Sequence, residues 1–415
     1  MLTYAQARSA ILERIVPLGT EKVPLLEAVG RVVSADIEAP WDLPGSNNSA
    51  MDGFAVRAAE CAPDRWLKIT DYIPAGTASD SAVPPGGAAR IMTGAPLPPG
   101  ADSVVPLEET EERSGEVRMQ KPVPAGNHVR IRGEDVARGE TVVPAGTVVL
   151  PPQVSMLASC GIALVPVYRK PRVAILSTGD ELVELGTTPG RGEIVNSNAY
   201  AIAAAVKLCG AEPVLIGTAR DDAQSHRALI REGLKADVLV TSAGVSAGDR
   251  DLVRETLAEL GVSEVFWKVL MKPGSPTAFA LYGTTPVFSL PGNPVATMIT
   301  FEEFVAPSLL KMMGQRRILR RTVRGVLREE ARKKEGNLHF LRVRVEQEGD
   351  RYLATSSGDQ KTGILKTLLG CNALALLPEG SSRCPAGTEV DLHLIDDSLL
   401  RVEEAEPDGT GASPL

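Results

Sequence analysis

Aromatic residues are scarce in this sequence and make up only 4% of its 415 residues. Proteins that bind single-stranded nucleic acids stack the bases on aromatic side chains, so this class is disfavoured. A general excess of positive charge is also missing, because the formal net charge is −8 and the sequence pI is about 5.3. We therefore expect no nucleic-acid partner.

Cysteine is rare, and long apolar runs are absent. The five cysteines are scattered and contain no C-x-x-C pair, which argues against a disulfide framework or a zinc site and suits a reducing compartment. No stretch approaches the roughly 18 apolar residues that a membrane helix needs. The opening residues also lack the pattern of a signal peptide. We expect a cytoplasmic protein with no membrane association.

The order of apolar segments predicts several domains, since 415 residues exceed one ordinary core. Two short helices are predicted over residues 4–16 and 25–33. Short β-like segments follow up to about residue 130, and a β–α alternation begins at Arg172. This alternation predicts a doubly wound α/β domain with parallel strands. Alternating strands after Gly314 predict a small barrel-like β domain.

Polar and glycine-rich turns follow the predicted parallel strands. The strongest is Asp237–Asp251, DVLVTSAGVSAGDRD, where an apolar strand enters a Gly/Ser-rich turn before a helix. Such turns let backbone amides approach an anion closely. The segments 178–181, Asp221 and 242–251 all follow strands, and we expect them to form one cleft at the carboxyl ends of the sheet.

Asp221 and Asp251 allow two interpretations. Their carboxylates could hold Mg²⁺, which prefers hard oxygen ligands and shares its shell with phosphates. Each also precedes a predicted helix, so each could instead cap that helix. The spacing alone favours capping.

Lys268 and Lys272 lie four residues apart. We predict one strand over residues 265–271, which contains Lys268 and ends just before Lys272. An extended backbone would direct both ammonium groups to one side, which suits an oxyanion or phosphate. A solvated strand end is the equal alternative. Glu181 could be a base, a metal ligand or an acid at a helix start, and these remain open.

The segment Gly244-Val245-Ser246-Ala247-Gly248 matches the G-x-S-x-G nucleophile pattern of hydrolases. A hydrolase is disfavoured because no histidine lies between His226 and His339. The four histidines share no spacing typical of a triad or metal site. Taken singly, Asp52, Thr93 and Asp135 are typical of turns.

Seven motifs in order nevertheless resemble one family across nearly the whole chain. They are PGSNNSAMDGFAV, IMTGAPLPPGADSVVPLEE, RGED, STGDEL, TSAGVSAGDRD, the pair Lys268/Lys272, and SLPGNPV. Together they resemble the molybdopterin molybdenumtransferases, the bacterial relatives of the gephyrin E domain. The resemblance implies a multidomain α/β plus β fold with a central α/β molybdopterin-binding domain. The implied domains are an elongated linking and dimerisation domain (1–42 with 132–168), an inserted β domain (43–131), the α/β domain (169–315) and a C-terminal β-barrel-like domain (316–402). The acidic, Gly/Pro-rich composition of residues 403–415 separately predicts a disordered tail.

The resemblance also implies a reaction and a set of site residues. The family converts adenylylated molybdopterin and molybdate into molybdenum cofactor and AMP in a Mg²⁺-dependent step. It implies a homodimer with shared active sites, and a transient contact with the molybdopterin adenylyltransferase. The residues that match family positions are Asp52, Thr93, Asp135, Glu181, Lys268 and Lys272 for catalysis; Gly244, Ser246, Gly248, Ser275, Pro291, Pro294, Arg342 and Thr362 for substrate; and Asp221 and Asp251 for the metal.

Three positions depart from the family pattern. Ala243 stands where a glycine is usual, Ser275 where many relatives have a lysine, and Thr362 where serine is usual. Two alternative functions stay open: a molybdopterin adenylyltransferase, which is usually a single α/β domain, and a gephyrin-like scaffold. The inserted and C-terminal β domains argue against the first, and the lack of a second enzymatic domain argues against the second.

Overall fold

A computed structural model describes residues 1–243 and 252–396, which form two compact units. One unit contains Met1–Glu21 together with the chain from Tyr168 onward, and the other is Lys22–Val167. None of the helices in these described ranges is long and apolar enough to cross a membrane. The α-helices of the described residues are α1 (Tyr4–Leu12), α2 (Pro151–Ser159), α3 (Ser197–Leu208), α4 (Ala223–Gly233), α5 (Leu252–Glu259), α6 (Pro294–Thr300), α7 (Ala306–Met312) and α8 (Lys366–Leu369).

The strands are short in the first half of the chain and longer in the second. Up to Tyr168 they are β1 (Leu2–Thr3), β2 (Thr20–Pro24), β3 (Ile37–Glu38), β4 (Asn48–Ser49), β5 (Gly53–Val56), β6 (Trp66–Ile73), β7 (Gly87–Ile91), β8 (Ser103–Pro106), β9 (Thr110–Arg113), β10 (Glu116–Met119), β11 (Val129–Arg130), β12 (Thr141–Val143) and β13 (Leu164–Tyr168). From Arg172 they are β14 (Arg172–Thr178), β15 (Leu182–Val183), β16 (Ile194–Val195), β17 (Glu212–Ala219), β18 (Val238–Ser242), β19 (Ser263–Phe266), β20 (Val269–Lys272), β21 (Ala278–Tyr282), β22 (Thr285–Leu290), β23 (Thr322–Leu327), β24 (Ala331–Arg332), β25 (Leu338–Glu348), β26 (Arg351–Ser356), β27 (Ala373–Leu377), β28 (Arg383–Cys384) and β29 (Glu389–Leu394).

The α/β domain contains a six-stranded sheet in the order β17-β14-β18-β22-β21-β19. The first four strands are parallel, as the β–α alternation predicts, and β21 and β19 add an antiparallel edge. Side chains alternate between two apolar layers: Ile175 and Val240 pack on the side of α3, α6 and α7, whereas Leu176 and Leu239 pack on the side of α4 and α5. Both faces are therefore covered, and the strand ends remain as the ligand-binding edge.

Two predicted elements are wrong. The single strand over residues 265–271 is two strands: β19 stays in the α/β sheet, and β20 leaves it to pair with β1 and β25. Trp267 and Lys268 lie at the break, so alternation along one strand does not direct Lys268 and Lys272 to one side. The predicted second helix is only a 3₁₀ turn, Leu25–Ala28. Its apolar spacing instead supports a small core with α2.

Before Gly314, α6 and α7 form a continuous helical segment that contains a π turn, Phe301–Val305, between them. This turn contributes Glu303, which is only 3% exposed. The Tyr4 hydroxyl donates to Glu303 Oε2, and Nδ1 of His393 in β29 lies 2.9 Å from Glu303 Oε1. One buried carboxylate thus joins the first helix, the π turn and the last strand.

The C-terminal domain is a closed five-stranded barrel. Its strand order is β25-β26-β23-β29-β27, and β27 closes the barrel by pairing with β25. Leu341, Val343 and Leu392 fill its interior. Because β20 and β1 extend this sheet from β25, the barrel is continuous with the segment that follows the α/β sheet.

The Lys22–Val167 unit contains a six-stranded sheet in the order β8-β5-β7-β6-β10-β9. Strand β5, second in this order, packs Phe54 on one face and Ala55 on the other, each in its own apolar cluster. The first residue of this strand is Gly53. A Cβ there would lie 2.0 Å from the carbonyl oxygen of Val105, so the position requires glycine. Asp52 directly precedes this strand.

Candidate functional site

The carboxyl ends of β14 and β18 open into a cavity of about 430 Å³. Its size falls in the usual range of small-molecule sites, and it lies where a doubly wound sheet binds ligands. The described lining residues are Thr178, Glu181, Leu182, Ile194, Val195, Asn196, Ser197, Asn198, Ser242, Ala243, Pro276, Pro291, Gly292, Asn293 and Pro294. The structure therefore brings together the predicted residues Glu181, Pro291 and Pro294. A larger groove of about 570 Å³ lies at the other end of α3, away from these strand ends.

Two asparagines organise the cavity, and sequence reasoning missed both. Asn196 caps α3 and accepts a hydrogen bond from Ser177 Oγ at 3.1 Å. Asn198 donates to Ser242 Oγ at 2.9 Å and to the Gly292 carbonyl at 2.8 Å. These bonds join α3 to the end of β18 and to the proline turn. The available signal was an asparagine pair at a strand-to-helix boundary.

Glu181 lies directly over Gly179 in the turn after β14. Gly179 has φ +130°, and a Cβ there would come within 2.3 Å of a Glu181 carboxylate oxygen. The turn thus requires glycine for both conformation and space. Glu181 precedes the short strand β15 rather than a helix, so the interpretation as a helix-start acid is wrong. The roles of base and metal ligand stay open.

Ala243 adopts φ +76°, a conformation that favours glycine. A Cβ placed on Gly292 would lie 3.1 Å from the Cβ of Ala243, so these two residues are in close contact. The departure from the family's glycine therefore places a strained alanine against the proline turn. Pro291 and Pro294 hold this turn: the Pro291 carbonyl accepts from Thr297 Oγ1 at 2.6 Å, and Pro294 begins α6.

The capping alternative for Asp221 is wrong. Asp222 is the N-cap of α4, where its carboxylate accepts from the Ser225 amide at 2.8 Å. The Asp221 amide instead donates to Asp180 Oδ1 at 3.3 Å, so two aspartates from neighbouring strand ends lie close together. Within the described residues no group of three His, Cys, Asp or Glu side chains is placed to hold a metal.

Lys268, Lys272 and Ser275 lie around the short strand β20. Lys268 precedes it and Lys272 ends it. The Ser275 hydroxyl donates to the Val269 carbonyl at 2.9 Å, so it closes the loop that returns to β20. The Ser275 side chain thus has a structural partner.

Arg342 and Thr362 lie in the C-terminal domain. Arg342 is fully buried in β25, and its guanidinium donates to Thr367 Oγ1 at 2.8 Å and to the carbonyls of Asp359 and Lys361 at 3.0 and 3.3 Å. Burial lowers the pKa of Arg342. Thr362 is half-buried in the same loop. Arg342 therefore shapes the segment that carries Thr362, and Thr367 is a partner that sequence reasoning missed.

Asp52, Thr93 and Asp135 belong to the Lys22–Val167 unit. Asp52 Oδ1 accepts from both the amide and the hydroxyl of Thr93, each at 2.7 Å. These bonds hold the pKa of Asp52 below its usual range. The Asp135 amide donates to the Leu43 carbonyl at 3.1 Å, which ties the RGED segment to the loop before β4. The structure thus joins two of the three residues directly.

Four predicted site residues, Gly244, Ser246, Gly248 and Asp251, lie outside the described residues. The predicted tail, 403–415, lies outside them as well. Their predicted roles remain predictions.

Models of protein families match the chain in three consecutive parts. Residues 2–161 match the MoeA N-terminal region (domain I and II), 174–311 match a probable molybdopterin binding domain, and 324–395 match the MoeA C-terminal region (domain IV). The chain belongs to the MoeA family. It is thus a member of a transferase family of molybdenum cofactor biosynthesis, and the predicted family resemblance is confirmed.

Individual MoeA relatives match over almost their whole length. Molybdopterin molybdenumtransferase 2 of Mycobacterium tuberculosis is 37% identical over 383 residues, which cover 89% of this chain and 94% of that protein. The molybdopterin molybdenumtransferase of Nostoc sp. is 36% identical over 388 residues, covering 89% of this chain and 88% of the relative. The crystal structure of the molybdopterin biosynthesis MoeA protein of Pyrococcus horikoshii superposes with a TM-score of 0.84 at 31% identity, covering 95% and 99% of the two chains. The predicted multidomain α/β plus β fold is confirmed.

Proposed function

We propose that this MoeA-family enzyme inserts molybdenum into molybdopterin, using adenylylated molybdopterin and molybdate and releasing AMP. The carrying observation is the polar cavity at the ends of β14 and β18, in the part of the chain that matches the molybdopterin binding domain. The match to three family models in MoeA order favours this function over a single-domain adenylyltransferase.

The reaction breaks a phosphoanhydride, and AMP departs as an anion. Such a step depends on positioning and on neutralising negative charge, so it needs no Ser–His pair. Asn196 and Asn198 would orient the substrate at the α3 edge of the cavity, and the Pro291–Pro294 turn would form the facing edge. Lys268 and Lys272 would bind anionic oxygens of the substrate, and Glu181 would hold or move a proton at the cavity rim.

Mg²⁺ is the metal that this oxygen-rich strand edge suits best. Asp221 is free of the capping role, and its neighbour Asp180 adds a second carboxylate, so the donor set fits a hard cation. We propose Asp221 and Asp251 as its protein ligands. The bound ion would neutralise phosphate charge; Asp221 would hold it from the end of β17.

Molybdate would bind near the segment that carries Thr362. The Thr362 hydroxyl is half-buried and can contact a ligand, whereas Arg342 contributes by holding this segment in place.

The proposed assembly is a homodimer in which Asp52, Thr93 and Asp135 complete the partner's site. Support comes from exposed apolar side chains of the Lys22–Val167 unit: Leu26, Val29, Leu150 and Leu164, each at least half exposed. Backbone bonds from Leu25 to Ala163 and from Gly30 to Val149 bring these four into one patch. An apolar patch of this kind is typical of an interface, and we assign it to a second copy of the chain.

We also propose a cytoplasmic location, because all five cysteines are unpaired. A transient contact with the molybdopterin adenylyltransferase would deliver the substrate.

The reaction is tested by incubating the purified dimer with adenylylated molybdopterin, molybdate and Mg²⁺. AMP release is expected with the full mixture and is expected to fall strongly after Mg²⁺ is chelated. An intact dimer that releases no AMP would refute the proposed reaction, and equal release without Mg²⁺ would refute the metal's part in it.

Shared sites are tested by mixing the inactive variants Asp52→Ala and Lys268→Ala under conditions of subunit exchange. The mixed dimer carries one site with neither substitution, so activity should return to part of the wild-type level. Exchange confirmed by mass spectrometry without any recovered activity would contradict the shared-site model.

A further inference from the structure

A histidine that no family motif supplies lies beside Lys272, where the barrel meets the preceding segment. The parallel pairing of β20 with β25 places Lys272 directly opposite His339. Paired residues in a sheet direct their side chains to the same face, about 5 Å apart at Cβ. The Lys272 ammonium is exposed, and the His339 imidazole is half-buried. The two side chains therefore share one face at the rim of the sheet.

Lys333 adds a second positive charge at the same rim. Its ammonium donates to the carbonyls of Asn337 at 3.1 Å and of Glu379 at 3.3 Å. Asn337 lies two residues before His339, and Glu379 lies two residues after Leu377, the residue opposite His339 on β27. Lys333 is thus anchored across the ends of β25 and β27, next to the imidazole.

Positive charge surrounds the imidazole of this cluster. The charged groups that act on the imidazole are Lys333, Lys272 and Arg342, and together with burial they lower the pKa of His339 to about 4. In the described parts of the chain, neither Lys272 nor Lys333 forms an ion pair with a carboxylate. The imidazole is therefore neutral near pH 7 and can donate one N–H bond within a positive field.

We propose that Lys272, His339 and Lys333 form a binding subsite for a small tetrahedral dianion of the molybdate and sulfate class. Lys272 supplies an ammonium that is free to contact the anion, and His339 donates a neutral hydrogen bond. Lys333 contributes a fixed charge, because its donors are already used by carbonyl oxygens. The identity of the physiological anion as molybdate rests on the proposed function, whereas binding of inorganic dianions does not.

Sulfate is the first probe, because it keeps two charges across the pH range needed. The full-length protein is titrated with sulfate while the imidazole signals of its four histidines are followed by NMR. The His339 signal, assigned with His339→Gln, should titrate near the low value in the free protein and at least about one unit higher with sulfate bound, because a nearby anion favours the charged imidazolium. By linkage, sulfate affinity should rise as the pH falls from about 6 towards 4.

Affinity measurements separate specific binding from a diffuse positive field. Lys333→Gln and His339→Gln should each weaken sulfate and molybdate binding by about 3- to 10-fold, as expected for a partly exposed charged contact. Lys334→Gln removes the same charge one residue along and should leave both affinities unchanged. Thermal unfolding of each variant checks that the fold is intact.

Three outcomes would overturn the subsite: no dianion binding, binding that leaves the His339 titration unchanged, or equal weakening by Lys334→Gln and Lys333→Gln. These measurements use no pterin substrate. A failure of AMP release with normal dianion binding would refute the proposed reaction alone, and the reverse result would refute only the subsite.

Discussion

Replacing Arg342 with methionine should release the loop that carries Thr362 while leaving the barrel folded. The guanidinium makes three bonds to this loop, to Thr367 Oγ1 and to the carbonyls of Asp359 and Lys361. Hydrogen bonds from a charged group contribute about 1.5–3 kcal/mol each, and relief of the buried charge offsets part of their sum. We expect the local opening free energy of residues 357–369 to fall by about 3 kcal/mol.

Hydrogen exchange measures this directly. A change of about 3 kcal/mol corresponds to roughly a 100-fold loss of amide protection, because about 1.4 kcal/mol is tenfold. The loss should be confined to residues 357–369, since the backbone of Arg342 keeps its bonds to Ser357 and Gln360 and its strand remains paired. Arg342→Lys should lose nearly as much protection, because a single ammonium cannot reach acceptors on both sides of the fork.

Arg344→Met is the matched control. Arg344 lies two residues along the same strand. Its side chain is exposed, and its Nε lies 3.6 Å from Glu346 Oε1. It should leave protection of the loop unchanged. If Arg342→Met also leaves residues 357–369 as protected as in the wild type, Arg342 does not hold this loop, and its burial has another cause.

Thr93→Val removes one of the two bonds that lower the pKa of Asp52, so that pKa should rise; an Asp52 carboxyl titration unchanged by NMR would contradict the assigned cause. Because the pKa of Asp52 is lowered in the folded protein, the favourable effect of its ionised carboxylate is fully present above the unfolded-state pKa and is lost as the pH falls through the folded-state pKa. In Thr93→Val the folded-state pKa is higher, so this loss begins at higher pH. The acid limb of the pH–activity profile should therefore move to higher pH in the variant. Ala243→Gly removes the positive-φ strain at the cavity edge, worth about 1 kcal/mol, and the greater freedom of the unfolded glycine offsets part of this gain. Thermal unfolding should show a small stabilisation, and a clear destabilisation would mean that the Ala243 methyl packs favourably against the Gly292 turn.

Local patterns predicted the parts of this protein that depend on local chemistry. The apolar runs and glycine turns between Arg172 and Ser242 correctly indicated parallel strands whose ends form a cavity. The family motifs correctly indicated the MoeA family and its multidomain α/β plus β fold.

Contacts between distant residues were beyond such patterns. The segment around Trp267 has uniform β propensity, and only its partners, β21 for one half and β25 for the other, reveal that it divides between two sheets. Asn198 reaches Ser242 across 44 residues, and Arg342 reaches Thr367 across 25. Asp222 rather than Asp221 caps α4, a difference of one residue that periodicity cannot resolve.

The buried contact of Tyr4 with Glu303 and Phe340 constrains the order of folding during synthesis. Lys22–Val167 makes its core from one contiguous stretch and can fold as soon as that stretch leaves the ribosome. Residues 1–21 are made earlier, yet their partners include Val269, Glu303 and Phe340. Residues 1–21 therefore reach their final place only after strand β25 of the barrel has been made.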